Sequence, residues 1–443
     1  MKRAAWLFLI FIIFCAAVSV VSPVVFGGQA ANPLAEELKS PNADIRAKAA
    51  QQLGQSADPS VEPALAAALN DPSTKVREQV IVALDRLHTV QSLHGLLAAT
   101  KDSDPDVRTL AVRAVVGWYT GSIPDIGFTG MIKHSYHNAM QSIQGGGTGV
   151  SPGTRVDPQV IAALEAAMED TRSIQAAREA AQGLGTLLTR PAVPALIKAA
   201  HSPDPDLAVN ALNALSHIKD ISAGPQLLGL LDSPSKEVRQ TACITVGVLR
   251  THAAVPKLQE IYQNDPDKDT RESALNGLAF IGDPASYAIF IKALWSNNKQ
   301  DRTFGAEGLA RARVAKATND LNKRMQIEKD GGVKLAIRFA QTSLGESQHL
   351  QDLVDALGSR TLGDSAQSYL IELARRKNIL SALYAYLHSG NANIRRRLCT
   401  VLMYSGDASS LSHLQLLTKD RNSDVAAEAL RAEQAIRART NAA

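Results

Sequence analysis

Aromatic residues are scarce in this chain of 443 residues: Phe, Tyr and Trp make up 5%, against 45% apolar residues in all. So little aromatic area, with much Ala and Leu, argues against a β-sandwich or barrel and for closely packed helices. Charge of one sign is also lacking. The formal net charge is +4, too small for its magnitude alone to imply a polyanionic partner. No Gly-x-Ser-x-Gly elbow and no Walker loop occur, so two common routes to nucleophilic or phosphoryl chemistry are missing. Adjacent carboxylates such as Glu36 and Glu37 fall on exposed helical faces and carry no catalytic spacing.

One long hydrophobic run is present, from Ala4 to about Val21, behind Lys2 and Arg3 and ahead of Pro23. Small residues at Gly28-Gln29-Ala30 and Gln29-Ala30-Ala31 follow. That order is expected of a cleaved secretory signal over residues 1–31. The rival is an uncleaved membrane anchor, because the run is almost long enough to span a bilayer; membrane association is expected only in that case. Phe14 before Cys15 is too bulky for usual lipoprotein processing. Either way the basic n-region keeps the N-terminus inside and sends the rest out, so the expected location is exported, in the periplasm or cell envelope.

What the chain does have is self-similarity. Arg46, Arg77, Arg108, Arg239, Arg271 and Arg395 head related segments such as "NADIRAKAAQQLG" and "DPDVRTLAVRAVVG", with spacings of 31 or 32 residues between neighbours. Ala177, Ala208, Arg302 and Ala426 fall in the same register. Four residues before each stands a helix-capping type: Asn42, Ser73, Asp104, Ser173, Asp204, Ser235, Asp267, Asn298, Asn391 and Asn422. Pro105 and Pro205 follow two of the caps, where proline suits the first helical position. Behind each cap runs a helical stripe such as Val76, Val80, Leu84 and Leu87; before it lies a second short helical pattern such as "VEPALAAALN". Gly54, Gly185, Gly282 and Gly406 read as C-terminal caps. Each unit is an antiparallel helix pair that needs stacked neighbours to bury its apolar face.

The pattern D-P-x-x-x-V-R-x-x-A-x-x-A-L-G resembles the short HEAT-like repeat, including the type named after phycobilisome lyases, over residues 33–119 and 158–439 in about twelve units. The resemblance implies an all-α fold, a right-handed α-solenoid whose capped second helices line the concave face. It specifies fold far better than function. Two enzyme families use such repeats. Deoxyhypusine hydroxylase holds iron through His-Glu dipeptides, and none of the ten histidines here precedes a glutamate. Phycobilin lyases act in the cytoplasm, which does not fit an exported chain.

Cys243 and Cys399 lie on apolar stripes about five repeats apart. With stacked helices ~8–10 Å apart, they are too distant for a disulfide and read as small buried hydrophobes. The repeated arginine, a cation in a helix first turn, opposes the helix dipole. The favoured explanation is an inter-repeat ladder to caps or acids such as Asp44, Asp106, Glu237 and Asp269; a row of anion sites is the alternative.

Residues 120–157 break the pattern. Trp118, Tyr119 and Phe128 read equally as a packing plug or a contact patch. Within "MIKHSYHNAMQSIQ", Ile132, Tyr136, Ala139 and Ile143 form one helical stripe, and His134 and His137 share the opposite face. Three residues apart, they would reach one metal ion, but no third ligand lies nearby. "GGGTGVSPGT" reads as a flexible connector. Near the C-terminus, Arg375-Arg376-Lys377 and Arg395-Arg396-Arg397 stand about a repeat apart, and residues 360–443 hold 12 Lys and Arg against 7 Asp and Glu. That excess fits an anionic surface.

The expectation is a non-enzymatic scaffold or adaptor of the cell envelope, without cofactor or metal, that binds a protein or peptide partner and no nucleic acid. Its division is a signal peptide 1–31, repeats 32–119, an insertion 120–157 and repeats 158–443. The candidate partner-binding residues are Trp118, Tyr119, Phe128, His134, His137, Arg376 and Arg396. The alternative is a metal-binding or enzymatic protein, lyase- or hydroxylase-like, with its site at the insertion. Each repeat is expected to touch mainly its neighbours.

Overall fold

The computed structural model describes residues 32–121, 150 and 154–440. Among them the chain forms twelve antiparallel helix pairs and no strand. The second helices run Ala43–Gln55, Thr74–Leu87, Pro105–Thr120, Ile174–Thr186, Pro205–Ile218, Lys236–Val248, Lys268–Ile281, Lys299–Ala312, Gly331–Ser343, Gly363–Leu373, Ala392–Ser405 and Ser423–Thr440. Each packs on the next, and a shorter first helix covers each pair. In one pair a 3-10 segment, Ile221–Asp232 with Pro225 inside, takes the first helix's place. The architecture is an all-α solenoid.

All ten expected caps start second helices. Nine accept a backbone N–H through the side chain, and only Ser73 does not. An eleventh, Asp330, caps Gly331–Ser343 through the N–H groups of Gly332 and Val333. Cap and stripe together explain each helix: the cap satisfies the first turn, and the stripe, as with Val76, Val80 and Leu84, is fully buried.

The arginine ladder exists, but its partners differ from those expected. Arg46 donates to both Asp71 carboxylate oxygens at 2.6 and 2.8 Å. Arg77 does the same to Asp102 at 2.8 and 2.9 Å, Arg302 to Glu328 at 2.8 and 3.1 Å, and Arg395 to Asp420 at 2.8 and 2.9 Å. Each acid lies in the next repeat's interhelical turn, two residues before its cap, and accepts the cap residue's own N–H. The arginine also donates to the carbonyl six residues before itself, as Arg77 does to Asp71 and Arg395 to Ser389. Side chains tilt toward the helix N-terminus, so the guanidinium reaches back past its own first turn. The sequence-adjacent Asp44, Asp106, Glu237 and Asp269 point elsewhere; Asp44, for example, takes Lys75. Where alanine replaces the arginine at position 177, Arg178 binds the cap Asp204 at 2.6 Å.

The glycines also need correction. Gly54 and Gly185 lie inside their helices. A Cβ there would stand 2.5 Å from the Ala83 Cα and 2.6 Å from the Ala214 Cα, so these glycines let neighbouring second helices approach closely. Gly282 and Gly406 do cap their helices, Gly282 in the left-handed conformation with φ 65° and Gly406 in an extended one with φ −70°.

The stack continues across the insertion. Pro105–Thr120 packs on Ile174–Thr186, with Arg113 bound to Glu179 at 2.7 Å and Arg108 facing Asp170 at 3.4 Å. Cys243 and Cys399 are buried free thiols, and burial pushes each up to about 12.

Candidate functional site on the inner rim

The residues singled out by sequence fall in three places. Trp118 stacks on His88, centroids 3.8 Å apart, and the Tyr119 hydroxyl accepts the Asp157 N–H at 3.0 Å. Asp157 in turn caps Pro158–Glu169, so Tyr119 ties down the chain where it re-enters the stack. Both aromatics pack partly against the core. Phe128, His134 and His137, with the rest of residues 122–149, lie outside the described residues. The two C-terminal arginine runs separate. Arg395 belongs to the ladder and Arg397 binds Asp364 at 2.7 Å, while Arg396 is half-buried without a side-chain hydrogen bond or ion pair among the described residues. Arg376 donates to the carbonyl and hydroxyl of Ser343 at 2.7 and 3.0 Å, at a different kind of position.

That position is the C-terminal end of a second helix. After most second helices the chain turns through one left-handed residue, in the series Ala57, His88, Gly121, Leu188, Lys219, Arg250, Gly282, Arg313 and Gly345. Glycine is the default there, since a Cβ costs roughly 1–2 kcal/mol. Three of these places instead carry a long cation, with φ of 58° at Lys219, 52° at Arg250 and 51° at Arg313. At Gly282 there is no room for one, because a Cβ would stand 2.7 Å from the Arg311 carbonyl carbon.

These helix ends converge. Arg250 binds Glu372 at 3.2 Å although 122 residues separate them, and Arg311 binds the same carboxylate at 3.0 Å. Arg311 also donates to Glu307 at 3.3 Å and to the Ala279 carbonyl at 3.2 Å, and its guanidinium lies over Phe280 and Phe339, 5.0 and 5.6 Å from the centroids. The Tyr369 hydroxyl donates to Glu307 at 2.5 Å, and its ring stacks on Phe339 at 4.4 Å. Second helices are ~8–10 Å apart, so a contact across four repeats requires the stack to curl with these helix ends inside the curve.

The rim is electropositive. Six cations, Lys219, Arg250, Arg311, Arg313, Arg375 and Arg376, gather near two carboxylates, Glu307 and Glu372; Arg250 and Arg311 bind them directly. The helix C-termini add about half a negative charge each, which accounts for part of the excess and not all of it. Burial opposes the Glu372 charge, but Arg311, Arg250 and Arg375 hold its carboxyl below the usual range. Lys219 is exposed yet crowded by protein; desolvation and then Arg375 pull its ammonium down. Desolvation and Arg313 do the same to Arg376. Arg313 and Arg375 are exposed and make no side-chain hydrogen bond or ion pair among the described residues.

Sequence reasoning missed Arg250, Arg311, Glu307 and Glu372. For Arg250 the available signal was a long cation in the left-handed turn that favours glycine, shared with Lys219 and Arg313.

Among the described residues no group of His, Cys, Asp and Glu is arranged to hold a metal ion, and no helix is long and apolar enough to cross a membrane. A family described as HEAT repeats matches residues 31–115, 161–234 and 224–310, more than half the chain. No curated protein matches it. Similar solved structures include an engineered protein, 17% identical over 91% of this chain and 98% of that one, TM-score 0.37. The CpcE–CpcF complex of phycocyanin lyase from Nostoc sp. PCC7120 is 20% identical over 62% of this chain and 94% of that one, TM-score 0.38. Importin beta is 13% identical over 91% of this chain, which spans 62% of importin beta, TM-score 0.45.

Proposed function

We propose, for a chain that belongs to the HEAT-repeat family, that it is a non-enzymatic scaffold or adaptor of the cell envelope, exported by its first 31 residues, which holds a protein or peptide partner against its concave side. The observation that carries this reading is the inner rim, where Arg313 and Arg375 stand exposed and uncommitted beside a network that ties second helices up to four repeats apart. Stacked repeats create an extended concave surface suited to another chain, and long cations kept in left-handed turns at a conformational cost favour a role beyond packing.

The test is site-specific photo-crosslinking in the native cell. A benzophenone side chain at position 219 or 313 is expected to trap one partner in the envelope fraction. The same group at Val90, 71% exposed at the start of a first helix, is expected to trap none. An unprocessed, cytoplasmic chain, or no rim adduct, would overturn the reading.

A further inference from the structure

We infer that the inner rim recognises an acidic peptide segment, seating at least two partner carboxylates among Lys219, Arg313, Arg375 and Arg376 as Glu372 is already seated between Arg250 and Arg311. This rests on the partner-binding reading above and names the chemistry of the partner.

Four observations lead there. First, the rim displays how it holds a carboxylate. Glu372 takes Arg250 at 3.2 Å and Arg311 at 3.0 and 3.2 Å; planar guanidinium forks suit carboxylates geometrically and bind them through strong charge-assisted hydrogen bonds. Second, Glu372 does not use up the donors. Arg313 and Arg375 have no hydrogen-bonded partner among the described residues, and Arg376 is anchored only to Ser343.

Third, the rim cations form two groups. Lys219 feels Arg375, Arg376 feels Arg313, and Glu372 acts on both Lys219 and Arg376. Like charges held this close repel, and an incoming anion at each group relieves the repulsion. One small ion serves one group; a chain with two acidic side chains serves both. Fourth, the site is inside the curl. Protein crowds Lys219, which strengthens ion pairing relative to open water, and a concave rim cannot lie flat on a bilayer. A flexible peptide enters where a membrane surface does not.

The experiment titrates the full chain with a fluorescein-labelled peptide of alternating Glu and Ser, read by anisotropy at near-physiological salt. Its Gln counterpart, inorganic phosphate and phosphatidylglycerol vesicles serve as competitors. The key variant is Arg313→Gln with Arg375→Gln, two side chains without hydrogen-bonded partners, its fold checked by circular dichroism. The control is Lys101→Gln with Arg421→Gln, both exposed and in turns that precede second helices, at the opposite helix ends from the rim. The Glu peptide is expected to bind and the Gln peptide not to compete. The rim variant should bind at least about tenfold more weakly, as loss of charge-assisted contacts predicts, while the control stays within about twofold of the parent. Equal binding by the parent and the rim variant would overturn the inference. So would displacement by phosphate or vesicles at matched anion concentration, which would mark a free-ion or headgroup site. No binding of the Glu peptide, together with a rim crosslink in cells, would refute the acidic chemistry and leave the scaffold reading standing; peptide binding without any crosslink would do the reverse.

Discussion

From Ala43 to Leu87 and from Lys299 to Arg376 the chain is built from the same kind of helix pair, yet the two stretches are held together differently. In the first, polar contacts join adjacent repeats: Arg46 to Asp71 and Lys75 to Asp44, with Arg77 continuing the ladder to Asp102. In the second, Tyr369 reaches two repeats back to Glu307, and Glu372 meets Arg311 and then Arg250 four repeats back. The reason is local. Gly363–Leu373 starts at Leu362 without a side-chain cap and packs more thinly on Gly331–Ser343 than other neighbouring second helices do on one another. That helix instead turns its buried Tyr369 and partly buried Glu372 toward earlier repeats. A regular ladder makes stability nearly one-dimensional; side chains that span repeats couple distant parts of the stack. The expectation that each repeat touches mainly its neighbours holds in both stretches; in the second, a few side chains also reach across two and four repeats.

Leu84→Asp should have the largest effect. Leu84 is 1% exposed, and replacing it removes a core side chain and buries a carboxylate, at a cost of about 5 kcal/mol or more. Hydrogen exchange should accelerate chiefly within residues 60–120. An equal rise at 380–440 would erase the contrast between the two regions.

Arg311→Ala should rank next. It leaves Glu307, 2% exposed, and Glu372 short of their cation, and breaking a buried pair from one side costs about 3–5 kcal/mol. Here the exchange pattern should be split, rising around 268–281 and 363–376 as well as at the mutated helix. A response confined to 299–312 would show that the cross-repeat network carries no coupling.

Asp85→Asn should have the smallest effect and acts in the regular region. Asp85 is 7% exposed and makes no side-chain hydrogen bond among the described residues; burial raises its carboxyl to about 6, against a weaker pull from Arg86. The unfolded chain loses this proton near pH 4 and the folded chain near pH 6, so stability falls as pH rises through that window and the penalty is complete above it. The Asn variant should be more stable at pH 7 by on the order of 1 kcal/mol, allowing for solvent screening, and its denaturant midpoint should lose that slope. A parent protein with a flat midpoint from pH 4 to 6 would contradict this origin.

The amino-acid sequence by itself determined the helix pairs, about twelve of them, and ten of the second-helix starts, because cap and apolar stripe recur in those units, most with the arginine; the starts at Gly331 and Gly363 fell outside that pattern. Asn42 or Asp104 needs only its own first turn to act. It also placed Arg376 among the candidates, through its cluster of charge. It pointed to the wrong ladder acids and the wrong role for Gly54, because Asp71 meets Arg46, and Ala83 meets Gly54, only after neighbouring helices have stacked. The tertiary structure alone decided that Arg250, Arg311 and Glu372 meet. That meeting depends on the sum of small rotations between successive repeats and on one poorly capped helix that departs from them, and no single 31-residue window contains that sum.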